Sequence, residues 1–459
     1  MTINSNWKKG AIWNENGYFD LTTDETKSAP VRLFLSEKLL DEAEDILFSQ
    51  IVNATKFPGV KLVVITPDTH FGYGVPVGCV LVTDGAVAMG PVGYDIGCGM
   101  MSASSTISAE AATPEKRLQF NRAVMKRVEM GAGGRSHRLK TLNKETFMSL
   151  VKGGADEYIK IYGGSFDRSR AERNRIPVDD DWSPPWRGQG RPERGISQIG
   201  SLGGGNHFIE LQRDEMTQNL FVQVHTGSRG FGHGLATNYF HLAKEENPKI
   251  KQLDLGYFEP DSIHHRGYLN AVAAGGNFAI LNRLVIFEQV SEAFNEVFGQ
   301  PLDLVYEISH NLVQNEWSEE FGMCWVHRKG ATRAFPAHHP NLKGSIFEST
   351  GHPVLIPGSN RSYSYILRPL PAVKNSAYSV NHGAGRKCSR AKAKLFNQEK
   401  VNAEYAKDGI IVNDHEDVPL DEAVDAYKDS DEVIRVITNA NLAEVQHKLW
   451  PLSSLKGTT

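Results

Sequence analysis

Apolar positions recur with helical spacing in several stretches of the chain. Leu39, Ala43, Ile46, Leu47 and Ile51 share one face of a segment that Ser36 can cap, which predicts a helix over 37–54. Leu269, Val272, Ile280, Leu284, Phe287, Val290 and Phe294 predict a long helix over 267–298. Shorter helices are expected over 114–130, with a basic face, and over 389–406. Runs rich in β-branched residues predict strands at 62–66, 79–83, 220–225, 303–309, 354–356, 363–367 and 432–437, the first of them stopped by Pro67. Two glycine-rich loops, 68–78 and 89–100, flank the second strand. Residues 1–30 read as a polar lead-in. Residues 131–200 are rich in Arg, Gly and Pro and poor in periodicity, and read as a long surface insertion. Nothing repeats and no linker divides the chain. The expected fold is α/β to α+β: one large domain over 1–459, with mixed sheets around a central cleft.

Composition narrows the function classes. Lys and Arg number 50 against 54 Asp and Glu in 459 residues, a net charge of −4. That excludes a wholly basic binder of nucleic acid and leaves room for a local basic face. The four cysteines, Cys79, Cys98, Cys324 and Cys388, form no CxxC pair, so neither a disulfide scaffold nor a zinc finger is expected. No apolar run approaches the ~18 residues of a membrane span. The N-terminal residues lack the apolar core of a signal peptide. A cytoplasmic protein without membrane association is expected.

The chemistry-bearing residues gather in glycine-rich clusters. Asp95 and Cys98 stand three apart in GYDIGCG, where they can offer a carboxylate and a thiolate to one point, or serve as a turn Asp and a small buried Cys. His207 follows a triple glycine, with Asn206 beside it as a candidate orienting group. His225 ends a predicted strand and precedes TGSRG, whose amides and Arg229 could hold an anion. His310 ends another strand, with Asn311 next to it. Each histidine alone reads equally as a structural one. Together the five residues exceed a single tetrahedral site and suit two metals bridged by a thiolate. His382 precedes Gly-Ala-Gly and a predicted helix, an arrangement that could cradle phosphate and present an imidazole nucleophile, or simply cap the helix. The Pro-Gly-Ser turn at 357–359 can present amides and a hydroxyl to a nucleotide. Lys456, taken alone, reads as exposed decoration.

The ordered set PDTHFGYGVPVG, GYDIGCG, GGGNHFIE, HTGSRGFGH, SHNLV, VHRKGATRAF, PVLIPGS, HGAGR, AYKD and LKG resembles the RtcB-type RNA ligases over about 30–456. The resemblance implies a central dimetal cleft and a ligase that uses GTP and manganese. In such a ligase a histidine is guanylylated, the guanylate passes to an RNA 3′-phosphate, and a 5′-hydroxyl displaces GMP. A 2′,3′-cyclic phosphate is hydrolysed first. The resemblance assigns His382 as the guanylylated residue. It assigns one manganese to Asp95, Cys98 and His207, and the second to Cys98, His225 and His310. It places Asn206, Phe208, Glu210, Asn311, Pro357, Gly358, Ser359, Asn360, Ser364, Gly383, Ala384, Gly385, Tyr427 and Lys456 around the guanylate. An archease-like activating partner serves some members of the family. The biological setting implied is tRNA splicing or RNA repair.

Three features depart from the family pattern. GSNRSYSY stands where GSMGTASY is usual, so Arg361 and Tyr363 are expected to put bulk near the guanylate and to alter nucleotide affinity. Asn381 replaces the usual Cys before the nucleophile. The segment 165–195 carries Arg168, Arg170, Arg173, Arg175, Arg187, Arg191 and Arg194, with Trp182 and Trp186. It can track phosphates and stack bases, or be a solvated loop whose charge the acidic run 179–181 offsets. These departures suggest a divergent paralogue. Two alternatives to ligation are a metal-dependent phosphoesterase acting on RNA ends and a non-catalytic RNA-binding protein.

Overall fold

The computed structural model describes residues 7–139, 142–171 and 175–457. Two large sheets form its frame. The first runs Ala11–Asn14, Tyr18–Leu21, Val31–Leu33, Val60–His70, Val77–Thr83, Gly322–Lys329, Asn311–Ser318. The second runs Asp303–Ser309, Gly99–Ser108, Asn219–Thr226, Phe208–Asp214, Ala443–Leu455, Ser364–Pro369, Val354–Ile356. Most neighbours pair antiparallel; Val31–Leu33 pairs with Val60–His70 in parallel. The fold is therefore mixed α/β, as expected.

The second sheet is buried on both faces, and the alternation along its strands decides which core each side chain joins. Met100, Tyr306, Ile308 and Phe208 enter a core shared with the first sheet. Met101, Ala103, Ile209, Leu211, Val222 and Val224 enter the core beneath the helices. The helix His265–Phe298 crosses that second core. It is long and apolar enough to cross a bilayer, contrary to the sequence reading, but almost all of its apolar length is buried inside the protein.

Several expected elements change form. The 37–54 helix is two helices, Glu37–Glu42 and Asp45–Ala54, because Ala43 and Glu44 are extended. The acidic run Asp41, Glu42, Glu44, Asp45 crowds like charges at helical spacing and disfavours one continuous helix. The strand at 62–66 does not stop at Pro67 but runs from Val60 to His70. Its register shifts between Ile65 and His70, and this irregularity accommodates a residue that lacks an N–H. Residues 432–437 form no strand. They lie in the helix Ser430–Asn439, capped by Asp429, with Val433, Val436 and Ile437 buried at helical spacing. The 389–406 helix breaks into Arg390–Ala393 and Gln398–Lys407, the second capped by Asn397.

Segments read as polar or irregular supply core. Trp7, Tyr18, Phe19 and Leu21 are buried, so the described part of the lead-in is integral to the first core. Within 131–200, Asn143 caps a helix at Lys144–Tyr162 whose Phe147, Leu150, Val151, Ala155 and Tyr158 pack into the second core. The helix turns sharply at Gly154, where φ is 66°. This kink hid the periodicity.

Candidate active site in the central cleft

Four consecutive strands of the second sheet explain how distant residues meet. Gly99–Ser108 pairs antiparallel with both Asp303–Ser309 and Asn219–Thr226, and Asn219–Thr226 pairs antiparallel with Phe208–Asp214. The starts of two strands thus align with the ends of the other two. Cys98 and His207 precede starts, and His225 and His310 mark ends. All four reach one sheet edge.

The ligand atoms of Cys98, His225 and His310 lie within 4.8 Å of one another, and so do those of Asp95, Cys98 and His207. Cys98 Sγ is 3.3 Å from His225 Nε2 and 3.6 Å from His207 Nε2. His225 Nε2 faces His310 Nε2 at 3.3 Å, and His207 Nε2 is 3.2 Å from Asp95 Oδ2. His207 Nδ1 donates to Leu202 O and His225 Nδ1 to Asn206 O, which turns each Nε2 toward the Cys98 sulfur. Burial holds His225 and His310 well below the usual imidazole range, in the neutral form that binds metal. Burial would raise Asp95, but the His207 hydrogen bond and charge and the Ser228 N–H outweigh it and hold the carboxyl at about 2. Burial, then the Asp95 charge, pushes the Cys98 thiol well up. A cation between the two groups would reverse that and draw out a thiolate. The neutral imidazoles of His225 and His310, the His207 ring, a carboxylate and a central sulfur, converging with their lone pairs, fit two cations that share Cys98.

His382 stands against this cluster, its ring 4.8 Å from the ring of His310. Its Nδ1 meets Asp68 Oδ2 at 2.6 Å, and the same oxygen accepts the His382 and Gly383 N–H groups at 3.1 and 3.2 Å. Thr66 Oγ1 donates to Asp68 Oδ1 at 2.6 Å. Burial would raise the Asp68 carboxyl; the charge and hydrogen bond of His382, with the Thr66 bond, hold it low instead. Asp68 lies in the irregular part of Val60–His70, where the register shift turns it toward His382. A Cβ at Gly385 (φ 79°) would collide with the Asp68 carbonyl, so only glycine lets the two loops meet. The helix expected after this turn does begin where expected, at Arg390 with Ser389 as its cap, but it is a single turn ending at Ala393.

A cleft of about 420 Å³ opens in front of His382 and the metal-type cluster. Asn206, Phe208, Asn311, Pro357, Gly358, Ser359, Asn360, Gly383, Ala384, Gly385, Tyr427 and Lys456 line it. Glu210 and Ser364 stand behind that wall. Gln212 Nε2 donates to both, and Ser364 Oγ accepts the Gly358 N–H at 2.9 Å. Burial raises the Glu210 carboxyl to about 7 against the opposing charge of Lys456. Lys456 is no surface decoration: it is 5% exposed, 3.5 Å from Glu422 and over the Phe208 ring.

Two anticipated effects disappear. Arg361 and Tyr363 do not enter the cleft. Arg361 pairs with Glu404 and Asp408 at 2.8 and 2.7 Å, and Tyr363 packs on Trp450 beneath Lys448. At TGSRG the groups expected to hold an anion are engaged inside the protein: the Ser228 N–H donates to Asp95, while Arg229 donates to the carbonyls of Gly131 and Ala132. In the Arg-rich segment, Trp186 packs between Phe147 and Phe231 under Lys144, and Trp182 is half-buried against the same core. Arg168 pairs with Asp156, and Arg170 and Arg175 donate to the carbonyls of Val305 and Lys152. Arg187, Arg191 and Arg194 are exposed, and Arg173 lies outside the described residues. Asn381 is buried and donates to Gly383 O, tightening the turn after His382.

Sequence reasoning missed Asp68, Glu422, Arg386, Arg390 and Lys329. Glu422 is buried among Tyr427, Lys456, Arg386 and Arg390, which gather positive charge at the cleft. Burial lowers Lys329 to about 8, and its ammonium donates to Tyr73 O and Val75 O. Only Asp68 carried a local signal, its place in PDTH before a glycine-rich loop.

The family model described as tRNA-splicing ligase RtcB matches residues 50–457. A tRNA-splicing ligase RtcB from Pyrobaculum aerophilum is 34% identical over 94% of this chain and 95% of its own length. One from Thermococcus kodakarensis is 32% identical, over 95% and 96% of the two chains. An RNA-splicing ligase RtcB from Mycobacterium tuberculosis is 34% identical over 89% of this chain and all of its own. With nearly its whole length matched, the chain belongs to the tRNA-splicing ligase RtcB family.

Proposed function

We propose that this RNA ligase joins an RNA 3′-phosphate or 2′,3′-cyclic phosphate end to a 5′-hydroxyl end through guanylylation of His382 by GTP. The observation that carries this reading is the Asp68–His382 pair beside the paired ligand sets. Asp68 accepts the Nδ1 proton, so Nε2 keeps its lone pair and is the nucleophilic nitrogen. Nε2 attacks the α-phosphorus of GTP, a P–N bond forms, and pyrophosphate leaves. The positive charge that develops on the ring is balanced by Asp68. A 3′-phosphate oxygen then takes the guanylate from His382. The 5′-hydroxyl attacks the 3′-phosphorus and GMP departs; a cyclic end is opened by water beforehand.

Asp95, Cys98 and His207 would hold one divalent cation and Cys98, His225 and His310 the other, manganese by family resemblance; the pair would neutralise phosphate charge. Glu210 stands behind the cleft wall and, ionised, would reach the N–H edge of guanine by exchanging its bond to Gln212 or Ser454 for one to the base, which would favour GTP over ATP. Lys456, Arg386 and Arg390 would face the phosphates. An archease-like partner would serve as activator, as it does for some members of the family.

Incubation with α-labelled GTP and manganese tests the reading. Covalent label on the wild type that vanishes in His382→Ala is expected. Label retained by that variant refutes the assignment. Phosphate hydrolysis at cyclic ends without label indicates an esterase, and RNA binding with neither activity indicates a binder.

A further inference from the structure

A second groove, of about 700 Å³, adjoins the cleft and shares His70, Tyr73, Arg386 and Arg390 with it. One wall carries Phe71 and Tyr73, 50% and 68% exposed. Large exposed rings normally sit on loose loops, but the backbone here is fastened at Gly72, Tyr73 and Gly74. The Gln50 side chain bonds both the N–H and the C=O of Gly72, Asn53 Nδ2 donates to Gly74 O, and Lys329 donates to Tyr73 O. Two rings are thus held outward, two residues apart, on a rigid support. Ile46 lies in the same groove.

The facing wall is basic. Arg386 and Arg390 turn inward to Glu422 and Asp421. Lys387 and Lys392 are exposed and have no ion pair among the described residues. Lys428 donates to the carbonyls of Pro67 and Thr69, and Glu42 and Glu44 act on its charge. Glu42 and Glu44 outweigh Lys428 by one charge, so of the two charges on Lys387 and Lys392 one is left uncompensated in the groove. Rings on one side and free ammonium groups on the other are the two elements of a track for unpaired nucleic acid. The groove's continuity with the cleft sets its direction.

We propose that this groove binds single-stranded RNA, the strand whose 3′-phosphate end lies in the cleft, with bases stacked on Phe71 and Tyr73 and phosphates on Lys387 and Lys392. This rests on the ligase reading of the cleft.

The test measures binding of a short unstructured RNA bearing a 3′-phosphate to the manganese-loaded protein, by anisotropy across a salt series. Phe71→Ala is expected to weaken binding about tenfold. Lys387→Ala and Lys392→Ala should each reduce the slope of log affinity against log salt by about 0.7. Phe71→Leu, which keeps the apolar cover but not the ring face, should bind as poorly as Phe71→Ala. Guanylylation of His382 should match the wild type in all of these variants. Unchanged affinity and slope would overturn the inference and leave the groove to a protein partner. Absence of label on the wild type would refute the reading of the cleft, while the RNA affinities would still decide the groove.

Discussion

Replacing Asp68 with Asn removes the charge beneath His382 and keeps the shape of the side chain. Asp68 is fully buried, and one of its oxygens accepts from His382 Nδ1, the His382 N–H and the Gly383 N–H. A hydrogen bond to a charged group is worth about 1.5–3 kcal/mol. Losing that much support for the imidazolium slows guanylylation about 10- to 150-fold. An Asn amide turned toward Nδ1 would also donate to it, forcing the proton onto Nε2 and removing the attacking lone pair. In hydrolase triads that inversion costs ~10⁴ in rate. The expected fall therefore lies between ~10 and ~10⁴ in single-turnover guanylylation. GTP affinity, measured separately by equilibrium binding, should change little, since Asp68 does not line the cleft. A wild-type guanylylation rate in Asp68→Asn, with a wild-type melting curve, would refute the positioning role.

Cys98→Ser should weaken manganese binding at both sites at least ~100-fold, because one sulfur serves both ligand sets; titration calorimetry reads it, and loss of a single site would contradict the shared thiolate. The Glu210 carboxyl, raised by burial to about 7, must be ionised to accept from guanine. GTP binding should therefore weaken as pH falls through 7, and Glu210→Gln should remove that dependence. Arg361→Gly and Tyr363→Ala should leave GTP affinity within about twofold, since both side chains lie outside the cleft, and the ion pairs lost with Arg361 should cost about 1 kcal/mol or less at that exposure. Arg283→Met should destabilise the fold by about 3–5 kcal/mol in denaturant titration, because it breaks a fully buried ion pair by removing the guanidinium beside Glu307.

The ligand set was legible because its members advertise themselves locally. His225 and His310 end runs that can only be strands, and Asp95 and Cys98 sit among glycines that no helix or strand interior favours. What joins them was not legible. Asp68 hid behind Pro67, which reads as a strand terminator, whereas the strand continues through it with a change of register. Glu422 and Arg390 lie in helical turns with no sequence cue, and their meaning comes only from burial beside Lys456 and Tyr427. The helix at 430–439 was misread because Val433, Ile434, Val436 and Ile437 are β-branched, while their spacing serves a helix face equally well. Arg361 and Tyr363 misled in the opposite way. Position in a motif placed them at the nucleotide, but they lie in the turn before Ser364–Pro369, where Glu404 and Asp408 draw Arg361 away from the cleft and Trp450 holds the Tyr363 ring.

The long helix shows how a core element can set the geometry of a site it does not touch. Asn282 and Arg283, deep in His265–Phe298, reach every ligand-bearing segment. Arg283 donates to Gly97 O beside Cys98, to Thr226 O beside His225 and to Ser309 Oγ beside His310. Asn282 accepts the Gly200 N–H and donates to Ser201 O, next to the Leu202 carbonyl that orients His207. Strand pairing brings the ligands to one edge but leaves each chain end free to fray. These bonds remove that freedom from all four at once, and because they radiate from one rigid helix they set the spacing between the ligands as well as their positions. A guanidinium is suited to this, since its planar fork addresses several acceptors in fixed directions where an ammonium could not. The spacing that lets one sulfur approach two histidines thus depends on a dipeptide in the apolar core, where pattern-based reading assigns packing alone.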